Sequence, residues 1–193
     1  MRSALQQRTR GFSLPETIGV LAIAGIGLAL AVPSYQSLAH ADRDAGSVNR
    51  LVTTLHVARN SAITRNATVT VCPSSNGTDC SGHAWQDGWI AWSATGNSPD
   101  ATTRQVLLSE GAQTGQQIQS PEFSTAIEFH ANGSAAATDA SARSGRFFFC
   151  PAGSETVSRT VVVLPNGKVT ASSGEHAPEA ASGSFRCSPE IRS

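Results

Sequence analysis

Apolar positions are unevenly placed along this chain, and their spacing changes character along its length. From Phe12 to Val32 the sequence FSLPETIGVLAIAGIGLALAV is a nearly continuous apolar run of 21 residues. As a helix it spans about 30 Å, the thickness of a bilayer core. The segment before it, MRSALQQRTRG, is polar and carries three arginines and no acid. Such a flank predicts a cytoplasmic N-terminus and an exported body. Pro33 lacks an N–H and predicts a kink or local melting. Asp42, Arg43, Asp44 and Gly46 predict a polar, weakly helical stretch. From Val48 a helical period takes over, with Val48, Leu51, Val52, Leu55, Ala58, Ala62 and Ile63 on one stripe. Arg50, Arg59 and Arg65 fall off that stripe. The pattern predicts an amphipathic helix that a sheet must cover, ending at Arg65-Asn66.

Beyond residue 66 the period shortens to two. The segments 67–72, 88–93, 105–109, 127–130, 146–150, 159–164 and 168–171 read as strands. Asn132-Gly133 and Asn166-Gly167 sit between apolar runs and predict hairpin turns. Segments 93–103 and 134–144 read as exposed loops, and 172–183 as a mobile tail poor in apolar residues. The fold class expected is α+β: a long N-terminal helix packed on a mostly antiparallel β-sheet body.

Composition narrows the function. Charged residues make up 15% of the chain and the formal net charge is zero. A uniformly basic nucleic-acid binder and an acidic disordered tail are both excluded. Within the apolar run stands a single acid, Glu16. A plain signal anchor has no use for it, because a carboxylate in a membrane helix costs about 2.5–3.5 kcal/mol or more. A cleaved signal peptide has one supporting feature, the small-x-small site Ala29-Leu30-Ala31. A third reading gives Glu16 a role and a partner.

Arg10-Gly11-Phe12-Ser13-Leu14-Pro15-Glu16-Thr17, the apolar run and Val32-Pro33-Ser34-Tyr35 together resemble a type IV prepilin N-terminus. The resemblance implies that a prepilin peptidase cuts after Gly11 and methylates the new N-terminal Phe12. It also implies an assembly role for Glu16, which in a bundle of parallel helices meets the free amine of a neighbour's Phe12. Pro15 departs from the usual aliphatic residue, but proline is tolerated in a first helical turn. Segments 57–66, 69–72, 88–90 and 164–169 resemble the FimT/FimU minor pilins and the GspH pseudopilin of type II secretion. The organisation expected is a leader (1–11), a transmembrane assembly helix (12–33), an amphipathic helix (34–66) and a β-rich globular domain (67–193). The implied function is a structural and assembly subunit of a type IV pilus or type II secretion filament. It would wait in the inner membrane with its body in the periplasm. The implied partners are other pilins, the inner-membrane assembly platform and the prepilin peptidase.

Four cysteines, Cys72, Cys80, Cys150 and Cys187, allow three pairings. On the exported side disulfides are the default. The pairs expected are Cys72–Cys80, closing a short loop at a strand end, and Cys150–Cys187, tying the tail to the body. No Cys-x-x-Cys or suitably spaced histidine pair suggests a metal, and no cofactor motif is present. His40, His56, His83, His130 and His176 are scattered and no nucleophile or paired-carboxylate signature exists, so no enzyme is expected. Trp85, Trp89 and Trp92 could form a sugar platform, but core packing and loop cover account for them better. The alternative function is DNA binding for natural transformation, through Arg186 and Arg192. Against it, the leader holds Arg2, Arg8 and Arg10, so its removal leaves 11 basic side chains against 14 acidic.

Overall fold

The computed structural model describes residues 13–81, 84–94, 104–138, 141–174 and 186–187; the side chains of 30–41 lie outside this description. The chain divides into two compact units, Met1–Asp42 and Arg43–Ser193. Helix α1 runs from Leu14 to Arg65. Its assignment passes unbroken through Pro33 and Asp42–Gly46, so the expected local melting does not occur. Proline removes one N–H from the ladder, and flanking turns of good helix formers keep the backbone helical around it.

In the second unit most of the predicted stripe is buried: Val48, Leu51, Leu55, Ala58 and Ala62 are nearly inaccessible and Val52 is half-buried, whereas Ile63, at the helix end, is exposed. The two alanines let the helix approach the sheets closely. The helix stops in a Schellman arrangement, where Asn66 adopts a left-handed φ of 50°. The Asn66 N–H donates to Ile63 O at 3.3 Å and the Ala67 N–H to Ala62 O at 3.1 Å. Asparagine tolerates this conformation, which explains why the sequence ends the helix here.

Nine strands among the described residues form two antiparallel sheets. They are β1 (Val69–Pro73), β2 (Trp89–Ala94), β3 (Arg104–Glu110), β4 (Gln116–Gln119), β5 (Ile127–Phe129), β6 (Ala135–Ala137), β7 (Gly145–Pro151), β8 (Arg159–Val163) and β9 (Val169–Ser173). The first sheet has the order β3-β2-β1-β5-β6 and the second β4-β7-β8-β9. Strands β4 and β6 were not expected. Segment 134–144 reads as a loop, yet Ala135–Ala137 pairs with β5, and the Ala135 N–H donates to Pro165 O at 3.1 Å. Alanine is a weak strand former, and here the tertiary partners decide. Segment 95–103, expected as a loop, and residues 175–183 of the expected tail lie outside the described residues.

The core lies between the helical stripe and the inner faces of the two sheets, built from Val69, Val71, Ile127, Phe129, Phe147, Phe149, Val161 and Val163. Trp89 is fully buried, and its indole N–H donates to Thr54 Oγ1 on the helix at 2.9 Å. Trp85 packs edge-on against Phe147 at 4.9 Å and donates to Phe123 O at 2.8 Å.

One side chain joins all three layers. Arg59 donates through Nε to Gly133 O and through Nη2 to Asn166 O, each at 3.0 Å. These carbonyls belong to the two Asn-Gly turns, one from each sheet. Gly167 has φ +74°, and a Cβ there would collide with Gly133 O and the Arg59 side chain. The two turns can meet only because that atom is missing. Gly153 has a similar φ of +76° but faces open space. Gly153→Ala should therefore cost about 1–2 kcal/mol, the left-handed backbone penalty alone. Gly167→Ala should cost more, about 2–4 kcal/mol, because the turns must also separate. Denaturant unfolding of the two variants beside the parent chain measures the difference.

Candidate functional site

The first turn of α1 is built by Ser13, Leu14, Pro15 and Glu16, an S-x-x-E sequence of which only the Glu16 half of a capping box forms. The Ser13 carbonyl accepts the N–H groups of Glu16 at 3.0 Å and Thr17 at 3.2 Å. Glu16 Oε2 reaches back to the Ser13 N–H at a long 3.4 Å. Thr17 Oγ1 donates to the carbonyls of Ser13 and Leu14, each at 3.1 Å. Pro15 falls where an unpaired N–H is normal, so it does not disturb the helix. Glu16 is exposed and lies in the first turn of the helix. The spacing of Ser13 and Glu16 is a local signal of this helix start, separate from any distant partner of Glu16. Gly11 and Phe12 lie outside the described residues.

After the cap the helix changes from polar to apolar on every side. Leu14, Ile18, Val20, Leu21, Ile23, Ile26 and Leu28 are 59–75% exposed. Consecutive and diagonal positions are exposed alike, so apolar side chains are exposed on every face of this segment. Among the described residues no helix is long and apolar enough to cross a membrane. Within the run Phe12–Val32 side chains are described only from Ser13 to Ala29. A helix apolar all round needs lipid or other helices about it.

The body carries two disulfides. Cys72 pairs with Cys80 and Cys150 with Cys187, with Cα separations of 5.5 and 5.9 Å. The first closes a loop ordered by Asn76 Oδ1, which accepts the N–H groups of Thr78 and Asp79. The second packs Cys187 against Phe148, Cys150 and Val157 on the outer side of the second sheet. The Cys187 N–H donates to Glu155 O at 3.1 Å, and Arg186 lies 3.9 Å from the Glu155 carboxylate. Arg192 lies outside the described residues, so Arg186 is seen beside an acid rather than within a basic cluster. Of the three tryptophans, Trp85 and Trp89 are buried and only Trp92 reaches the surface. They do not form a shared platform. No cluster of three metal-ligating side chains exists among the described residues.

With this geometry established, comparison with known proteins gives one family and one fold. The family described as Type II transport protein GspH matches residues 47–167. Two crystal structures of the type IV minor pilin FimU from Pseudomonas aeruginosa are similar. One has a TM-score of 0.51 at 15% identity, covering 70% of this chain and 97% of that one. The other has a TM-score of 0.52 at 14% identity, covering 70% and 92%. At that identity the likeness is one of fold. No curated protein sequence matches the chain.

The two bridges differ in what they restrain. Cys150–Cys187 spans 37 residues and Cys72–Cys80 spans 8. Loop-closure entropy makes them worth about 4 and about 2.5 kcal/mol respectively. Paired serine substitutions should reproduce that order in equilibrium unfolding, with the Cys150/Cys187 variant the weaker. Equal losses would show that local strain or unfolded-state structure outweighs loop length.

Proposed function

The chain belongs to the GspH family, and from that premise we propose that it is a minor pilin or pseudopilin, a non-enzymatic subunit of a type IV pilus or type II secretion filament. The observation that carries this reading is the N-terminal half of α1. It exposes large apolar side chains on every face, beside a body that completes its own core. Such a helix is suited to wait in the inner membrane and then to pack among the helices of other pilins. The basic segment before it orients the body to the periplasm, where both disulfides can form.

In this reading prepilin peptidase cuts between Gly11 and Phe12 and methylates the Phe12 amine. The freed amine lies next to the Ser13 cap. Glu16 of an incoming subunit then pairs with the Phe12 amine of its neighbour and sets the axial register. In a lipid-like surrounding an unpaired charge is costly, so the pair discriminates between correct and shifted registers.

Intact mass and N-terminal sequencing of membrane-extracted protein test the processing. The expected mature chain begins at Phe12 and carries one added methyl group. A chain beginning at Val32 would establish a signal peptide instead.

The role of Glu16 is separable from its role as a cap. Glutamine also serves in a capping box, so Glu16→Gln keeps the helix start and removes only the charge. It should insert normally but enter sheared filaments at least tenfold less than the parent chain. Breaking a buried pair costs roughly 3–5 kcal/mol, more than enough for that loss. Normal incorporation of Glu16→Gln would assign Glu16 to the cap alone.

A further inference from the structure

Trp92 and Arg104 hold hydrogen-bond donors that no described residue accepts. Trp92 stands on the outer face of the first sheet. Cross-strand pairing places it in a row with Val106, Thr70, Glu128 and Ala136, one residue from each of the five strands. Its indole N–H is buried and has no acceptor among the described residues. Trp85 and Trp89 each end on an oxygen within 2.9 Å, so this tryptophan is unlike its neighbours. An unpaired buried donor costs about 1–3 kcal/mol.

The Arg104 guanidinium stacks over the Trp92 ring, 4.4 Å from its centroid. Among the described residues it makes no hydrogen bond. Among the described residues its ion-pair partner is Asp79, 3.9 Å away on a side chain that is 65% exposed. A contact that long and that wet contributes little. Stacking fixes the plane of the guanidinium, so less freedom is lost when its fork binds an acceptor. Val106, beside Trp92 in the row, is 38% exposed.

We propose that the Trp92–Arg104 pair is a docking point for a carboxylate on the surface of another protein. Both unspent groups are donors, so the occupant supplies acceptors. The planar fork of Arg104 matches a carboxylate in two parallel hydrogen bonds. The indole N–H takes an adjacent oxygen of the same partner once the atoms covering it give way, with Arg104 still stacked on the ring. A sheet face with an exposed valine suits a protein surface rather than an enclosed small molecule, and Trp and Arg are the residues on which such contacts concentrate their energy. Glu128 lies two strands from Trp92, about 10 Å away. It repels a second acid there and thereby orients the partner. That the partner is a neighbouring filament subunit rests on the function proposed above.

The test places a photo-crosslinking residue at Val106 in the full-length chain in its native membrane. A second chain carries it at Leu21, on the apolar half of α1. The expected Val106 adduct joins another subunit at a peptide containing Asp or Glu. It should fall at least tenfold in Arg104→Glu and return when that acid is replaced by arginine. Trp92→Phe keeps the ring and drops the N–H, and should weaken the adduct several-fold. An adduct unchanged by Arg104→Glu overturns the proposal, as do adducts to lipid or nucleic acid only. Subunit adducts at Leu21 with none at Val106 overturn the docking point and leave the filament reading standing. Charge-dependent protein adducts at Val106 with none at Leu21 do the reverse. None at either position overturns both.

Discussion

The body depends on a single guanidinium. Arg59 projects from the helix and accepts no substitute of simpler geometry, because it must reach two carbonyls that belong to different sheets. Its planar fork offers donors at fixed angles, which a lysine ammonium does not. The two sheets have separate hydrogen-bonded ladders. Across their junction the backbone supplies the Ala135 N–H to Pro165 O bond. Arg59 adds the helix to that junction, so helix, first sheet and second sheet share one corner. Apolar packing is tolerant of small slides. Directed bonds to two turns are not, and they set where along the helix the sheets sit.

That junction shows how much of the fold was legible and where legibility stopped. The stripe from Val48 to Ala62, the stop at Asn66 and both Asn-Gly turns were readable, because each rests on local periodicity or on a residue with special backbone freedom. Seven strands were readable on the same ground. Strand β4, with the sequence Gln116-Gln117-Ile118-Gln119, and strand β6, made of three alanines, carry no such signal. They are strands because neighbouring strands offer them a ladder. Arg59 itself reads only as a residue off the apolar stripe. Its partners lie 74 and 107 positions away, and no local pattern reports contacts of that separation.

The two halves of α1 solve opposite problems with one secondary structure. In the body half, small and branched apolar residues occupy one stripe, and the arginines turn toward polar groups of the body: Arg50 to Gln113, Arg59 to the two turns, Arg65 to Gln105. Each arginine is thereby drawn onto the chain's own surface. In the N-terminal half no stripe exists, because apolar residues follow one another without a polar face. Burial inside the chain selects a period, and burial in lipid or among other helices does not. The change of pattern is what the proposed membrane and filament surroundings would require.

The helix start joins these two themes. Ser13, Pro15 and Glu16 start the helix within one chain, and this needs no filament. The weak member of that start is the 3.4 Å contact of Glu16 with the Ser13 N–H. A carboxylate held that loosely remains free to turn outward. Under the proposed processing, the amine created at Phe12 adds a positive group at the same helix end. One carboxylate then faces an N–H and an amine in its own chain and a further amine in the next. In water the local contact suffices. In an apolar surrounding each positive group left alone carries a desolvation cost. A chain of subunits can lower that cost by passing each carboxylate one subunit along, which no isolated subunit can do. The carboxylate that helps start the helix would thus also supply the reason to assemble it.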